Sequence, residues 1–248
     1  MKINNINRLF IGFGIVLIAG IIYRIASYKS WERYNYSATV VVPETFPIAI
    51  SDLYFVTPND DFEGIDSEDV RRFTSRWQSY YNSGDEAKSQ RLPTSIKISY
   101  FSFRDKLFYS DSLQLPKQKM EKIFVSAQKN KQFLVLSQYA GIRKGLSFVV
   151  GIANNGNIVI WLRGVNLEKE ILSSKLKPKI PNPDDFYLDG KVSREAYFKE
   201  AFRDLSDSIK TLLKNGYDAK ANYIDSPSRY IENNKELWEY QKKNGFIE

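Results

Sequence analysis

The sequence predicts an α+β domain with a mostly antiparallel sheet and packed helices, preceded by one N-terminal transmembrane helix. Three observations predict it: segments rich in β-branched and aromatic residues follow one another, amphipathic segments lie between them, and a charge-free apolar run stands near the N-terminus. With 248 residues and 43% hydrophobic content, the chain can bury a core. The simplest organisation is a membrane anchor over residues 1–30 and a single domain over residues 31–248.

The N-terminal segment is predicted to be the membrane anchor, over residues 9–28. No charged residue occurs from Leu9 to Tyr23. If the Arg24 side chain reaches the headgroups, the run continues through residue 28 and gives about 30 Å of helix, enough to cross a bilayer. A cleaved secretory signal is the alternative, with a weak cleavage site at residues 25–27. Basic residues flank the run on both sides and do not decide its orientation. We expect a single-pass inner-membrane protein with its C-terminal domain in the periplasm.

The first part of the domain has the pattern of sheet followed by helix. Residues 35–43 and 46–56 are β-branched and aromatic runs punctuated by prolines, which predicts two strands. An acidic, turn-rich loop follows and contains Ser67, a favourable N-cap residue. Aromatic residues then recur at helical spacing, so we predict a helix near residues 68–82. Trp77 of this helix is expected to be a core residue.

In the middle of the domain, the sequence predicts a hairpin, a helix and a strand. The segment TSIKISYFSFRDKLFYSDSLQLP alternates around turn-forming residues at 104–106, which predicts the hairpin. Pro116 then opens a helix. One face of this helix is apolar and consists of Met120, Ile123, Phe124 and Ala127. A strand is predicted at residues 132–139.

The stretch VVGIANNGNIVIWLRG, residues 149–164, has the glycine spacing of a phosphate-binding loop but the chemistry of a turn. A phosphate loop needs Lys and then Ser or Thr after its second glycine, whereas residues 157–158 are Asn and Ile. β-branched and aromatic runs flank the turn, and Asn155 and Gly156 supply two positive-φ positions. We therefore predict a β-hairpin, with Trp161 as a core residue of its second strand.

The last third of the chain is predicted to be mainly helical. Residues 166–176 have the pattern of a short helix, and a proline-rich connector follows. A long helix is predicted to begin after Ser193, a good N-cap residue, and to end at Gly216.

The composition excludes several classes of chemistry. The chain has no cysteine, which excludes disulfides, thiolate metal sites, cysteine nucleophiles and lipid anchoring at cysteine. It also has no histidine, the usual general base near neutral pH and the commonest metal ligand. No serine lies in a Gly-x-Ser-x-Gly motif. We predict no catalytic residue, no metal site and no cofactor, although paired carboxylates cannot be recognised in one sequence.

The net charge does not indicate nucleic-acid binding. The chain carries a formal charge of +7, but its first 29 residues contain four basic and no acidic side chains. The remaining residues therefore carry +3, which is ordinary for a protein surface. We predict no nucleic-acid partner, and we expect the charge to act through local segments instead.

An acidic loop is the first candidate for partner binding. Residues 60–69 contain six acidic residues and no basic residue. We hypothesise that this loop faces a basic cleft of a protein partner. Its proposed contacts are Asp60, Asp61, Glu63 and Asp66. Calcium binding and a solvated loop remain alternatives, although a helix-loop-helix calcium site would have Glu where Val70 stands.

A basic segment is the second candidate. Residues 113–144 contain seven basic residues and one acidic residue. Its hypothesised basic patch consists of Lys117, Lys119, Lys122, Lys129 and Lys131. An acidic partner or anionic headgroups would suit this patch, and a solvated helix face is the alternative.

Three segments together carry a resemblance: VVVPETFPIAI near the anchor, the hairpin IKISYFSFRDKLFYSDSLQLP, and FVVGIANNGNIVIWLRG. They resemble the bacterial envelope family catalogued as domain of unknown function 2931, over roughly Tyr36 to Gly164. Many members of that family look like lipoproteins, whereas here Ile21 stands where the lipidated cysteine would be, which favours a membrane span. The resemblance implies an envelope-located binding protein, with immunity to interbacterial toxins as a specific form, and it brings no catalytic residues.

We therefore expect a membrane-anchored periplasmic binding protein, in the form of an immunity protein that neutralises a toxic effector by occlusion. Its expected partners are the membrane, through residues 9–28, and the effector protein. A carboxylate-dependent envelope enzyme acting on glycans is the alternative.

Overall fold

The computed structural model describes residues 4–29, 32–58, 61–65, 67, 70–74, 77, 89–137, 142–182, 193–224 and 228–247. The chain divides into two compact units, Met1–Arg33 and Tyr34–Glu248. The helices are α1 (Asn5–Tyr28), α2 (Lys117–Lys129), α3 (Arg194–Ala201), α4 (Asp207–Lys214) and α5 (Tyr230–Lys243). The strands are β1 (Arg33–Val41), β2 (Ile48–Val56), β3 (Phe62–Gly64), β4 (Ser89–Arg91), β5 (Ser95–Ser102), β6 (Phe108–Gln114), β7 (Leu134–Ser137), β8 (Arg143–Ile152), β9 (Asn157–Gly164), β10 (Leu167–Lys175) and β11 (Pro178–Lys179).

The first unit is dominated by α1, which is long and apolar enough to cross a membrane. Its 24 residues correspond to about 36 Å of helix. The most apolar 18-residue window has a mean hydropathy of 2.3, and no residue of α1 is buried. The helix ends at Lys29, which adopts the left-handed conformation and donates its backbone N–H to the carbonyl of Ile25. These properties are consistent with single-pass anchoring.

An uncleaved α1 predicts that the mature protein keeps Met1 and remains in the membrane fraction after washing at high salt. Salt screens the attraction that holds peripheral proteins, whereas it does not extract an apolar span. The measurement is N-terminal sequencing of the mature chain together with immunoblotting of the washed membranes. A mature N-terminus near residue 28 would show instead that the segment is a cleaved signal.

The second unit contains two β-sheets. One sheet has the strand order β10-β9-β8-β1-β4, with β7 also paired to β8, and the other has the order β11-β6-β5-β2-β3. Strands β8–β9, β9–β10, β2–β5 and β5–β6 pair antiparallel, whereas β1 and β8 pair parallel. The mixed helix and sheet content and the predominance of antiparallel pairs confirm the predicted α+β class.

The main core lies between the two sheets. Phe148 of β8 contacts Tyr36 of β1 and Phe55 of β2, with ring centroids 5.1 Å apart in both pairs. Because β2 belongs to the other sheet, the contact between Phe148 and Phe55 joins the inner faces of the two sheets. Helix α2 adds an apolar face to the same core through Met120, Phe124 and Ala127.

Up to residue 164, the structure confirms the predicted strands, the predicted hairpins and the helix predicted after Pro116. Strands β1 and β2 match the first two predicted strands, and the β5–β6 hairpin turns at residues 103–105. The stretch around residue 155 is a turn between antiparallel strands, with φ of 58° at Asn155 and 77° at Gly156. Both predicted positive-φ positions are therefore correct, and Gly156 serves a turn.

Three helix predictions need correction. The helix predicted over residues 166–176 is wrong, since this segment forms β10 and pairs with β9. The single long helix predicted after Ser193 is interrupted: Ser193 caps α3 and Gly216 follows α4, but Ser206 caps α4 as a separate helix. Within the helix predicted near 68–82, residues 70–74 and 77 form turns, and the others lie outside the described residues.

Candidate functional site

A cleft of about 600 Å³ lies on the outer face of the sheet that contains β9 and β10. Aromatic side chains, carboxylates and α5 residues form its walls. The lining consists of Trp77, Val159, Trp161, Glu168, Glu170, Ser173, Tyr223, Ile224, Ser228, Arg229, Tyr230, Ile231 and Glu232. This volume is in the range of small-molecule and side-chain binding sites.

Strand register brings the polar and aromatic lining residues together. Along β9 the residues at 158, 160 and 162 belong to the main core, so Val159, Trp161 and Arg163 face outward. The antiparallel register places Ser173, Glu170 and Glu168 of β10 opposite these three residues, in the same order. A carboxylate therefore lies across from the tryptophan and another across from the arginine.

Two tryptophans form the floor of the cleft. The rings of Trp77 and Trp161 meet edge to face, with centroids 5.1 Å apart. Gly151 makes room for them, because a Cβ at this position would lie 2.5 Å from Trp161 and 2.9 Å from Trp77. Both side chains are largely buried, as the sequence predicted, but they lie outside the main core and line the cleft.

Arg163 is a buried charge beneath the cleft. Its side chain is 1% exposed and donates from Nε to Oε2 of Glu168 at 2.7 Å. Nη2 donates to the carbonyl oxygen of Trp77 at 3.1 Å. The guanidinium also lies over the rings of Trp161 and Tyr230, 4.8 and 4.6 Å from their centroids. Burial lowers the pKa of Arg163 and the Glu168 carboxylate opposes that shift, so the pair holds the arginine charged.

The N-terminal end of α5 is attached to the same ion pair. The Ser228 hydroxyl donates to Oε1 of Glu168, so both oxygens of that carboxylate accept hydrogen bonds. Tyr230, which is 1% exposed, donates its hydroxyl to the carbonyl of Gly164 at 3.1 Å. The α5 wall of the cleft is therefore held by buried polar contacts as well as by packing.

The remaining aromatic wall is Tyr223, on the segment after α4. Its hydroxyl donates to Oδ2 of Asp218, which also accepts from Thr45 Oγ1 at 2.6 Å. Burial and the Asp218 carboxylate raise the pKa of Tyr223 to about 12. The phenol therefore stays protonated at neutral pH and keeps the wall attached to the residues that follow β1.

The cleft combines electron-rich aromatic surfaces with an excess of negative charge. Three glutamates and one arginine line it. Glu168 is committed to Arg163 and Ser228, whereas Glu170 and Glu232 are exposed. Aromatic faces with adjacent carboxylates attract cationic groups such as Lys and Arg side chains, and aromatic faces also stack on sugar rings. Among the described residues, no three acidic side chains group closely enough to hold a metal ion.

Of the acidic loop residues chosen from the sequence, the two that the structure describes, Asp61 and Glu63, do not line this cleft. Asp60 and Asp66 lie outside the described residues, and Asp61 is exposed. Glu63 is half-buried on β3 and accepts hydrogen bonds from the Tyr36 hydroxyl at 2.7 Å and from Gln90 at 2.6 Å. This carboxylate joins β3, β1 and β4, so its contacts are internal. Partner binding by the loop stays a prediction.

The basic residues chosen from the sequence lie on or next to α2 and are exposed. They are Lys117, Lys119, Lys122, Lys129 and Lys131. Lys117 pairs with Glu121 at 3.7 Å, and Lys119 donates to the carbonyl of Ile171 at 3.5 Å. The patch is a solvated helix face, and its binding role likewise stays a prediction.

Sequence reasoning missed the carboxylates of the cleft because it treated residues 166–176 as a helix. A signal for the hairpin was present in the turn-forming residues Gly164 and Asn166. In the structure, Gly164 and Leu167 pair across a two-residue turn in which Asn166 has a φ of 52°. A second signal was the unbroken apolar run from Ile158 to Leu162, which makes both faces of β9 apolar and indicates that another element covers the outer face.

The family model described as "Protein of unknown function (DUF2931)" matches residues 25–217 of the chain. The match runs from the end of α1 through α4 and confirms the resemblance drawn from the three sequence segments. No curated protein and no solved structure matches the chain.

Proposed function

Because the chain belongs to the DUF2931 family, whose description assigns no activity, we propose its function from its own geometry: it is a membrane-anchored binding protein of the cell envelope. The aromatic cleft over β9 and β10 is its binding site. The domain lies in the periplasm, and α1 is its anchor.

One observation carries this proposal: the cleft places exposed carboxylates beside a rigid aromatic floor. Trp161 and Trp77 are fixed by edge-to-face packing, and the guanidinium of Arg163 lies against Trp161 and bonds to the backbone of Trp77. Preorganised aromatic side chains lose little conformational freedom on binding and dominate the energetics of many interfaces. The carboxylates of Glu170 and Glu232 add attraction for a positively charged group.

The specific form that we propose is an immunity protein that neutralises a toxic effector by occlusion. Occlusion requires no chemistry from the inhibitor, only a surface that recognises one partner tightly. A Lys or Arg side chain of the effector would enter the cleft, with its charge between the carboxylates and its aliphatic part on the tryptophans. The family resemblance, which implies an envelope-located binding protein, is compatible with this proposal.

Charge reversal at the mouth of the cleft tests the proposal. The double variant Glu170→Lys, Glu232→Lys should reduce association with a toxic effector encoded beside this chain by roughly tenfold or more and flatten its salt dependence, because attraction becomes repulsion. Cells that produce the variant should lose protection against that effector. The measurements are association kinetics with the full chain in detergent and survival of co-expressing cells.

The matched control is Glu236→Lys, Glu239→Lys, which reverses two exposed charges on α5 outside the cleft. It should bind and protect like the unmodified chain. Equal association by both double variants would remove the cleft from the interface and direct attention to the acidic loop around Asp61.

A glycan-directed envelope enzyme is the second candidate, and the same cleft favours it because tryptophan beside carboxylates also suits sugar rings. Release of soluble fragments from purified peptidoglycan by the full chain, abolished in Glu170→Gln, would support the enzyme. Peptidoglycan that remains intact while effector binding depends on Glu170 would support the binding protein.

A further inference from the structure

A second cavity, of about 490 Å³, lies between the β5–β6 turn and α4. We call it the basic pocket. It is separate from the aromatic cleft and shares no lining residue with it. Its lining consists of Phe103, Arg104, Lys106, Lys210, Leu213 and Lys214.

Four of the six lining residues are cationic, and none is acidic. Lys210 and Lys214 lie one turn apart on α4, so they project from the same face of the helix. Lys210 forms an ion pair with Asp207 at 3.2 Å, but that carboxylate is 98% exposed and the pair is weak. Asp105 next to Arg104 is occupied by the Tyr109 hydroxyl and the backbone N–H of Asn155, each at 3.1 Å. The four cations of the pocket therefore outnumber the two neighbouring carboxylates, Asp105 and Asp207.

Contacts within the domain fix the two cationic side chains of the β5–β6 turn, Arg104 and Lys106, in the absence of a ligand. Arg104 donates from its guanidinium to the backbone carbonyls of Tyr217 and Asp218. The ammonium of Lys106 lies 3.6 Å from the centroid of Phe103 and 4.5 Å from that of Phe198. Lys106 forms no ion pair with any carboxylate of the described residues, and burial lowers its pKa. An anion in the pocket would relieve this desolvated charge.

The floor of the pocket is apolar. Phe103 is 9% exposed and stacks on Phe198, with ring centroids 5.5 Å apart. Leu213 packs against the same cluster from α4. A ligand with a charged end and a short apolar end would therefore meet cations at the mouth and hydrocarbon below them.

We propose that the basic pocket binds a phosphate group carried on a small apolar moiety. Three ammonium groups and one guanidinium exceed what a single carboxylate neutralises, whereas a phosphate monoester carries up to two charges and several acceptor oxygens. Lysine ammonium groups bind phosphate as point charges and suit this arrangement. The headgroup of an anionic phospholipid and a soluble phosphate compound share this chemistry. The proposal is independent of the function assigned to the aromatic cleft.

Calorimetric titration of the full chain in dodecyl maltoside tests the proposal with two probes, inorganic phosphate and dihexanoyl phosphatidic acid. We expect saturable binding that weakens as salt rises. If both probes bind, the phosphate group is sufficient; if only the short-chain lipid binds, the apolar floor is needed and the source is a lipid. Titration into empty micelles corrects for partitioning of the lipid.

The test variant is Lys106→Gln, Lys210→Gln, Lys214→Gln, which should weaken binding by about tenfold or more because charge-assisted contacts are lost. The control variant Lys199→Gln, Lys220→Gln removes exposed charges outside the pocket and should bind like the unmodified chain. Circular dichroism verifies folding of both variants. Failure of both probes to bind, or equal weakening by the two variants, would overturn the proposal.

Discussion

Gly156→Val is expected to lower the free energy of unfolding of the domain by about 3 kcal/mol or more, because it combines backbone strain with overpacking. Gly156 has a φ of 77°, a region that β-branched residues avoid. A Cβ there would also collide with the carbonyl oxygen of Leu176 and lie 2.8 Å from the Tyr109 ring. Since Tyr109 belongs to β6, the collision would push the β8–β9 turn away from the other sheet.

Alanine variants at two glycines separate the two causes. Gly216 also has a positive φ, 86°, but nothing lies within 4 Å of a Cβ at that position. Gly216→Ala therefore measures strain alone, whereas Gly156→Ala adds the collision and should be the more destabilising substitution. Urea denaturation followed by tryptophan fluorescence measures both. Equal losses would show that packing against Leu176 and Tyr109 contributes nothing.

Nucleotide binding provides an independent check on the same turn. The turn lacks the lysine and hydroxyl residues of a phosphate loop, so ATP should bind neither the unmodified chain nor the Gly156 variants. Saturable ATP binding that Gly156→Val abolishes would restore the phosphate-loop interpretation.

Local sequence patterns predicted the elements whose stabilising contacts are close in the chain. The β5–β6 and β8–β9 hairpins have alternating apolar residues and turn residues between them, and both formed as predicted. The parallel pairing of β1 with β8 joins residues more than 100 positions apart. No local pattern specifies such a pairing, because it depends on burying both sheets against the common core.

The wrong helix at residues 166–176 shows how a bulge imitates helical spacing. Leu167, Ile171 and Leu176 are buried and recur at intervals of four and five, which suits one face of a helix. In the structure, a register shift between Glu170 and Leu172 moves the buried side by one residue within a strand. Pairing with the edge of β9 satisfies the backbone hydrogen-bonding groups of residues 167–175, and this favours the strand over the helix.

The interrupted helix after Ser193 has a different cause. Phe202 and Leu205 are 2% and 4% exposed and pack beside Phe101 and Phe103 on the outer face of the second sheet. Ile209 and Leu213 continue the same helical spacing, which favoured one continuous helix, but residues 202–204 form turns and the backbone N–H of Leu205 donates to the carbonyl of Phe202. Ser206 starts a new helix, and its hydroxyl accepts from the backbone N–H of Ile209.

The candidate site could not be predicted from charge density. Glu63 of the acidic segment accepts from internal donors, whereas Glu170 lies outside any acidic run and is placed beside Trp161 by the strand register. A run of like charges in a sequence indicates solvent-exposed surface, and does not by itself locate a binding site. Binding sites arise where separate elements converge, here β9, β10 and the start of α5.

The Arg163–Glu168 pair yields the second large effect: Glu168→Ala is expected to reduce the free energy of unfolding by about 3 kcal/mol, since it removes the carboxylate that accepts from the buried Arg163 Nε. Arg163 is 1% exposed, so it cannot turn to solvent, and Ser228 would lose its acceptor as well. Glu170→Ala removes an exposed carboxylate of the same strand and should change stability by no more than about 0.5 kcal/mol.

A double-mutant cycle distinguishes loss of the charge–charge contact from simple loss of packing. Arg163→Met removes the buried charge, so adding it to Glu168→Ala should recover about 1–2 kcal/mol relative to Glu168→Ala alone. The recovery should be incomplete, because methionine cannot donate to the Trp77 carbonyl or stack on Tyr230 as the guanidinium does. Urea denaturation of the four chains gives the coupling energy. Additive losses would mean that the ion pair contributes through volume alone, and that the cleft is supported by packing of Trp77 and Tyr230 without help from the charge beneath them.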